Sequence, residues 1–194
     1  MNTDSDRWDE RYSNASPPDT LSAHPLLMEA IGHATPTGRA ADVACGWGDA
    51  GLHLARSGFD VTCFDVSTVA LDAVERRATE LDVAVSTASH DTTTDGAPAG
   101  PWDILWCAHY LDRDFLAGLG SQLNDGGIAA IAIATKTNRE RHERPSARFL
   151  LDPNELQAVV TDGQPALQVL RFDEAWREND VHEAWLIVRK GLAS

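Results

Sequence analysis

The segment Gly46-Trp47-Gly48-Asp49-Ala50-Gly51 is the part of this chain best suited to chemistry, together with Asp65, which follows Gly46 by 19 positions. Glycines let a backbone approach a ligand closely. A helix that begins at such a turn offers free amide hydrogens. A carboxylate at the tip of the next strand suits the hydroxyls of a ribose. This G-x-G-x-x-G spacing fits a dinucleotide, another nucleotide-like ligand or a purely structural turn. The motif alone leaves all three open. Asp65 has a local alternative role, capping the helix that starts at Ser67. Farther along, His109 and Tyr110 follow the apolar run Trp102–Ala108. Open α/β sheets bind their ligands at that end of a strand. His109 is the candidate base, because imidazole changes charge near neutral pH; it could instead pack on the helix that follows.

The elements around these residues alternate. Arg39–Ala44 reads as a strand, Asp49–Ser57 as a helix ended by Gly58, and Asp60–Phe64 as a second strand. Ser67 can cap a helix with Ala70, Ala73, Val74, Ala78 and Leu81 on its apolar face. A short strand is expected over Val83–Thr87, a loop over His90–Pro101, and a strand at Trp102–Ala108. A helix is expected over Arg113–Leu123. Asn124-Asp125-Gly126-Gly127 reads as a turn before Ile128–Thr135, an apolar strand buried on both faces. Upstream, Leu21, Leu26, Leu27, Ala30 and Ile31 give a helix over Thr20–Ala34, broken by Thr35-Pro36-Thr37-Gly38. Trp8 and Tyr12 share one face of a helical turn, where they bind a ligand or staple the N-terminus to the core. Near the C-terminus, Asp152-Pro153-Asn154-Glu155 starts a helix, with Asp152 as cap. Leu167–Phe172 and His182–Arg189 then form an antiparallel hairpin about Glu178-Asn179-Asp180. The whole describes a doubly wound α/β domain with a mostly parallel sheet and an antiparallel end. A dinucleotide domain would continue with helical crossovers instead.

The 194 residues suffice for one domain, 1–194, with an N-terminal cap over 1–35 and the core over 36–194. The formal net charge of −14, with lysine only at 136 and 190, argues against nucleic acid as a partner. No apolar run is long enough to span a membrane, and Asp4 and Asp6 lie where a signal peptide would carry basic residues. A cytoplasmic location is expected. Cys45, Cys63 and Cys107 show no metal spacing and read as reduced packing residues, Cys45 and Cys107 near the ligand. Lys136–Arg148 holds five of the basic residues in a long connection. Its Arg144 and Arg148, helped by His142, could draw an anionic acceptor, or could simply pair with nearby acids.

Read as an ordered set, these segments resemble the class I S-adenosylmethionine-dependent methyltransferases. Asp42-Val43-Ala44-Cys45-Gly46-Trp47-Gly48 is similar to that family's acid-x-G-x-G-x-G turn, with Ala44 in place of the first glycine. The resemblance implies a seven-stranded sheet with a C-terminal antiparallel hairpin, and S-adenosyl-L-methionine as cofactor. It puts Asp65 on the ribose, Val66 and Ser67 beside the adenine, and His90-Asp91 in the loop whose acid meets the adenine amino group. Cys107 and Tyr110 belong to the strand-four motif. Trp8-Asp9-Glu10-Arg11-Tyr12 resembles a segment that closes over the cofactor in small bacterial methyltransferases. Arg148–Leu156 is similar to the tellurite-resistance methyltransferase group.

Cys107-Ala108-His109-Tyr110 lacks the Asn/Asp-Pro-Pro-aromatic pattern of enzymes that methylate bases or amides. The expected acceptor is therefore a small molecule: a thiol, a chalcogen oxyanion or another metabolite. A thiolate or soft anion needs no base, whereas an alcohol or ammonium does. The expected state is a monomer or homodimer. Two other readings stand beside this one: an NAD-dependent oxidoreductase, and a non-catalytic sensor or partner protein that binds S-adenosylmethionine.

Overall fold

The computed structural model describes residues 3–35 and 37–192. One mixed sheet runs through it. Its strands are β1 (Arg39–Val43), β2 (Asp60–Asp65), β3 (Ser86–Ser89), β4 (Trp102–Ala108), β5 (Leu123–Ala134), β6 (Leu167–Trp176) and β7 (His182–Lys190). They lie side by side in the order β3-β2-β1-β4-β5-β7-β6. The first five strands pair in parallel, and β7 runs antiparallel to both β5 and β6. The expected sheet and terminal hairpin are both present. The strand order reverses between β1 and β4, which opens a crevice at their carboxyl ends.

The helices are α1 (Asp4–Ser13), α2 (Pro25–His33), α3 (Asp49–Arg56), α4 (Thr68–Glu80), α5 (Thr92–Asp95), α6 (Arg113–Ala117) and α7 (Glu155–Thr161). The period-2 alternation of strands divides the core into two layers. Ile104, Trp106, Ala130, Ala132 and Ile187 meet α2, α3 and α4 through Leu26, Leu27, Leu54 and Val74. Leu105, Cys107, Ile131 and Leu186 meet α6 and α7 through Phe115, Leu116, Leu156 and Val160. That double coverage explains the uninterrupted apolar run of β5.

Several boundaries differ from expectation. The helix expected over Thr20–Ala34 begins only at Pro25, because a residue before proline is steered away from helical geometry. The His24 ring caps it by accepting from the Leu26 amide. The third strand lies at Ser86–Ser89 rather than Val83–Thr87, where it pairs with Thr62–Asp65. The expected loop His90–Pro101 contains α5, capped by Asp91. The helix expected over Arg113–Leu123 stops at Ala117, a 3-10 turn takes Leu119–Gln122, and Leu123 already belongs to β5. Asn124–Gly127 is an irregular start of that strand, with Gly126 at φ +78, instead of a separate turn. Asp152 does not cap α7. Its amide is bonded by Glu155, and its own carboxylate pairs with Lys136. Pro36, placed in the break after α2, lies outside the described residues.

The basic connection 136–148 is anchored by a buried residue. Asn138 donates to the carbonyls of Thr135 and His182 and accepts from the His182 amide. Asn138→Ala should therefore cost about 1–3 kcal/mol, because buried backbone groups of β7 lose their partner. Exposed Arg144→Ala should stay within about 0.5 kcal/mol. Urea unfolding of the two variants checks this; equal midpoints would contradict the anchor.

Candidate functional site

The β1-α3 turn is held from below by two carboxylates. Asp42 is buried at the end of β1, and its Oδ2 accepts the Gly51 amide at 2.8 Å. Asp65 closes β2; its Oδ2 accepts from Gly46 and its Oδ1 from Ser67, both at 2.9 Å. The two readings of Asp65 are thus compatible, since the same side chain fixes the α4 start and faces the crevice. Ala44, Gly46 and Gly48 all adopt positive φ, of 55, 52 and 76. A glycine-like backbone is therefore required at 44, and alanine tolerates it at some cost in strain. A Cβ on Gly51 would lie 2.3 Å from the Cys63 sulfur, so this glycine serves close packing of α3 on β2. Arg77 completes the clamp from α4. It donates to the Trp47 carbonyl and to Asp49 at 2.6 Å.

Above the turn lies a cleft of about 760 Å³, within the usual range for small-ligand sites. Trp8, Tyr12, Asp42, Ala44, Cys45, Gly46, Trp47, Asp65, Val66 and His90 line it, as the sequence led one to expect. His109 and Tyr110 form its far wall. Helix α1 roofs it. Trp8 and Tyr12 stack at 5.8 Å, and Tyr12 meets the Trp47 ring edge-on at 4.6 Å. Asp9 ties this roof to α4, accepting from Ser67 at 2.6 Å.

Other expected residues sit apart from the cleft. Gly48 and Ser67 shape the starts of α3 and α4 from beneath. The Asp91 carboxylate caps α5, bonding the Thr93 amide and hydroxyl. Cys107 is fully buried in the other core layer, and burial pushes its thiol well up. The Cys45 thiol, at the cleft, is raised by its bond with Cys63 and by burial, which disfavours the thiolate. Arg144 and Arg148 do not line the cleft; Arg148 lies over the Phe149 ring. Tyr110 is pushed up to about 12 by burial, and its hydroxyl meets Thr92, which donates to Asp112.

Sequence reasoning missed His24, Thr92 and Trp106 in the lining, and Glu183 behind it, and named Arg11 only as part of the closing segment. His24 was signalled only by its place before Pro25. Glu183 was signalled as the one acid inside the apolar run of β7. An open depression of about 830 Å³ lies at the opposite, amino-terminal ends of β4 and β5, lined by Asp103, Asn124 and Gln122. It is shallow and open, whereas open α/β sheets bind their ligands at the carboxyl ends of the strands, which makes the cleft there the candidate site. Among the described residues no His/Cys/Asp/Glu group could hold a metal, and no helix is long and apolar enough to cross a membrane.

The sequence of residues 40–127 matches the family model of a methyltransferase domain. No curated protein matches the chain. Among solved structures, TehB from Haemophilus influenzae aligns at 20% identity and TM-score 0.74, over 94% of this chain and 67% of that one. Geranyl diphosphate C-methyltransferase from Streptomyces coelicolor A3(2), solved with Mg2+, geranyl diphosphate and S-adenosyl-L-homocysteine, aligns at 17% and 0.68, over 98% and 100%. Magnesium protoporphyrin IX methyltransferase from Synechocystis PCC 6803, with bound SAH, aligns at 16% and 0.64, over 80% and 75%. At these identities the likeness is one of fold.

Burial raises Asp42 to about 7, against the single opposing bond from Gly51. A proton held more tightly in the folded state makes stability fall as pH rises from about 4 to about 7, by about 2–4 kcal/mol for a shift of this size. Asp42→Asn keeps an oxygen for Gly51 and should flatten that slope. Urea midpoints measured across this window check it; an unchanged slope in the variant would assign the dependence elsewhere.

Proposed function

We propose that this chain is a class I S-adenosylmethionine-dependent methyltransferase that methylates a small molecule held against Trp106, His109 and Tyr110; the methyltransferase-domain match over residues 40–127 and the likeness of fold along its length support this. The observation that carries the reading is the carboxylate-held glycine turn at the floor of an acidic cleft. S-adenosylmethionine, when bound, supplies an electrophilic methyl group on a positively charged sulfur. Asp65, which receives backbone amides and no basic side chain, gives the floor a carboxylate that suits such a cation, while Asp49 is already paired with Arg77. Each oxygen of Asp65 receives one amide and keeps a further lone pair, which fits ribose hydroxyls. Trp8 and Tyr12 close over the cofactor and exclude water.

The dinucleotide reading fits less well. The amino end of α3, where a diphosphate would seat, is already filled by the Asp42 carboxylate on the Gly51 amide. A sensor reading is disfavoured by the extent of the cleft, which continues past the turn to a wall bearing His24 and His109. Free Cys45, Cys63 and Cys107 suit a reducing cytoplasm. The net charge of −14 supports a small-molecule acceptor over nucleic acid. A monomer or homodimer is the proposed working state.

Calorimetric titration tests this reading. S-adenosylhomocysteine should bind and NAD should not. Asp65→Ala should weaken binding by about 1–3 kcal/mol, roughly 5- to 150-fold. Tight NAD binding, or full affinity in the variant, would refute it.

A further inference from the structure

Behind the far wall of the cleft lies a carboxylate that the cofactor site does not use. Glu183, on β7, is 1% exposed. Its Oε2 accepts the Trp185 indole N–H at 2.8 Å, while its Oε1 is buried without a hydrogen-bond partner. That oxygen lies 3.4 Å from Nδ1 of His109. Arg177, the nearby guanidinium, forms no ion pair with the Glu183 carboxylate, and its own Nε is buried without a partner. It donates to the Glu183 main-chain carbonyl, pairs with Asp173 at 2.7 Å and lies over the Trp185 ring at 3.7 Å. A buried carboxylate needs a compensating donor, and the one within reach is a proton on Nδ1 of His109. With the proton there, the lone pair of the neutral ring sits on Nε2, away from Glu183. His109 is placed for this by its backbone: it adopts φ +58, and its amide donates to Ala132 at 2.8 Å.

A second imidazole faces the same space. His24 accepts the Leu26 amide on Nδ1, so its proton is on Nε2. Burial lowers it to about 4, against the pull of Glu183, so at neutral pH it is an uncharged donor. Its ring packs 5.0 Å from both Trp106 and Trp185 and 6.4 Å from His109. No lysine or arginine lines this wall, Arg11 belonging to the roof.

We infer that the acceptor is a neutral molecule methylated on a hydroxyl group, with His109 taking the hydroxyl proton on Nε2, Glu183 positioning His109, and His24 donating a hydrogen bond to the acceptor. This rests on the methyl-transfer reading of the cleft. As the proton passes to His109, the oxygen electron pair forms the bond to the methyl carbon, and the carbon–sulfur pair leaves with the thioether. The imidazolium so formed is neutralised by Glu183. A chalcogen oxyanion or thiolate would need no such base and would find no cation on this wall.

The test has two readouts. Long-range 1H–15N spectra of histidine-labelled protein at pH 8.5, with S-adenosylhomocysteine added, show which ring nitrogen carries each proton. His109 should carry it on Nδ1 and His24 on Nε2, and Glu183→Gln should scramble His109 alone. In parallel, simple phenols, an alkane thiol and selenite are offered with S-adenosylmethionine, and S-adenosylhomocysteine release is counted. Phenols should be methylated. His109→Asn should lower kcat roughly 100-fold, and Glu183→Gln roughly tenfold, with KM for the methyl donor unchanged. Wild-type His109 protonated on Nε2 overturns the role of Glu183. Methylation of thiol or selenite undiminished in His109→Asn, or of none of the phenols, overturns the acceptor class. Failure of the wild type to bind S-adenosylhomocysteine would instead remove the underlying reading of the cleft.

Discussion

Two buried aspartates hold a glycine turn by its amide hydrogens, and the site is built on that arrangement. Removing an ionised carboxylate from water is costly, and only well-placed donors offset it. Asp42 has one such donor, the Gly51 amide, and burial outweighs it. Asp65 has two, from Gly46 and Ser67, and is raised all the same. Those bonds fix where the β1-α3 turn stands relative to β2. The turn in turn sets the start of α3, the Trp47 ring against Tyr12 and the Trp47 carbonyl held by Arg77. The roof helix depends on the same point, because Asp9 docks on Ser67, whose amide Asp65 already holds.

The charge of the cleft follows from these residues and selects among ligands. A turn whose helix end is filled by a carboxylate has little to offer a diphosphate. An acidic floor beneath aromatic side chains suits a sulfonium attached to an adenosyl group. The far wall differs in character. It is aromatic, carries two imidazoles and has a carboxylate behind it, the arrangement on which the proposed proton transfer rests.

The β1-α3-β2 unit, the buried fifth strand and the terminal hairpin were all legible in the sequence, because short-range pattern determines each of them. Glycines, the aspartate after β2 and the period of apolar residues act over a few positions, and the residues named from them lie together along the cleft floor. The second helix was placed too early because Leu21 extended the apolar stripe, whereas Pro25 decided the boundary. The far wall was only half legible. His109 could be inferred from its place after β4, but its partner Glu183 comes from an antiparallel strand that reaches it across β5. The contacts of Arg77 were likewise invisible, since they depend on how distant elements pack, and His24 was marked only by its place before Pro25. The basic connection was misleading for a related reason. Its sequence shows charge, but Asn138 fastens it to β7, and Arg144 and Arg148 end up away from the cleft.

The central claim is that the crevice over the glycine turn receives an adenosyl group with its sulfur toward the two imidazoles. A crystal structure with S-adenosylhomocysteine measures this most directly. The account predicts ribose hydroxyls within hydrogen-bonding distance of Asp65, adenine beside Val66, and the sulfur facing an open space bounded by His24, Trp106 and His109. Crystals soaked in the ligand that left this crevice empty, or that showed the ligand elsewhere on the molecule, would contradict it.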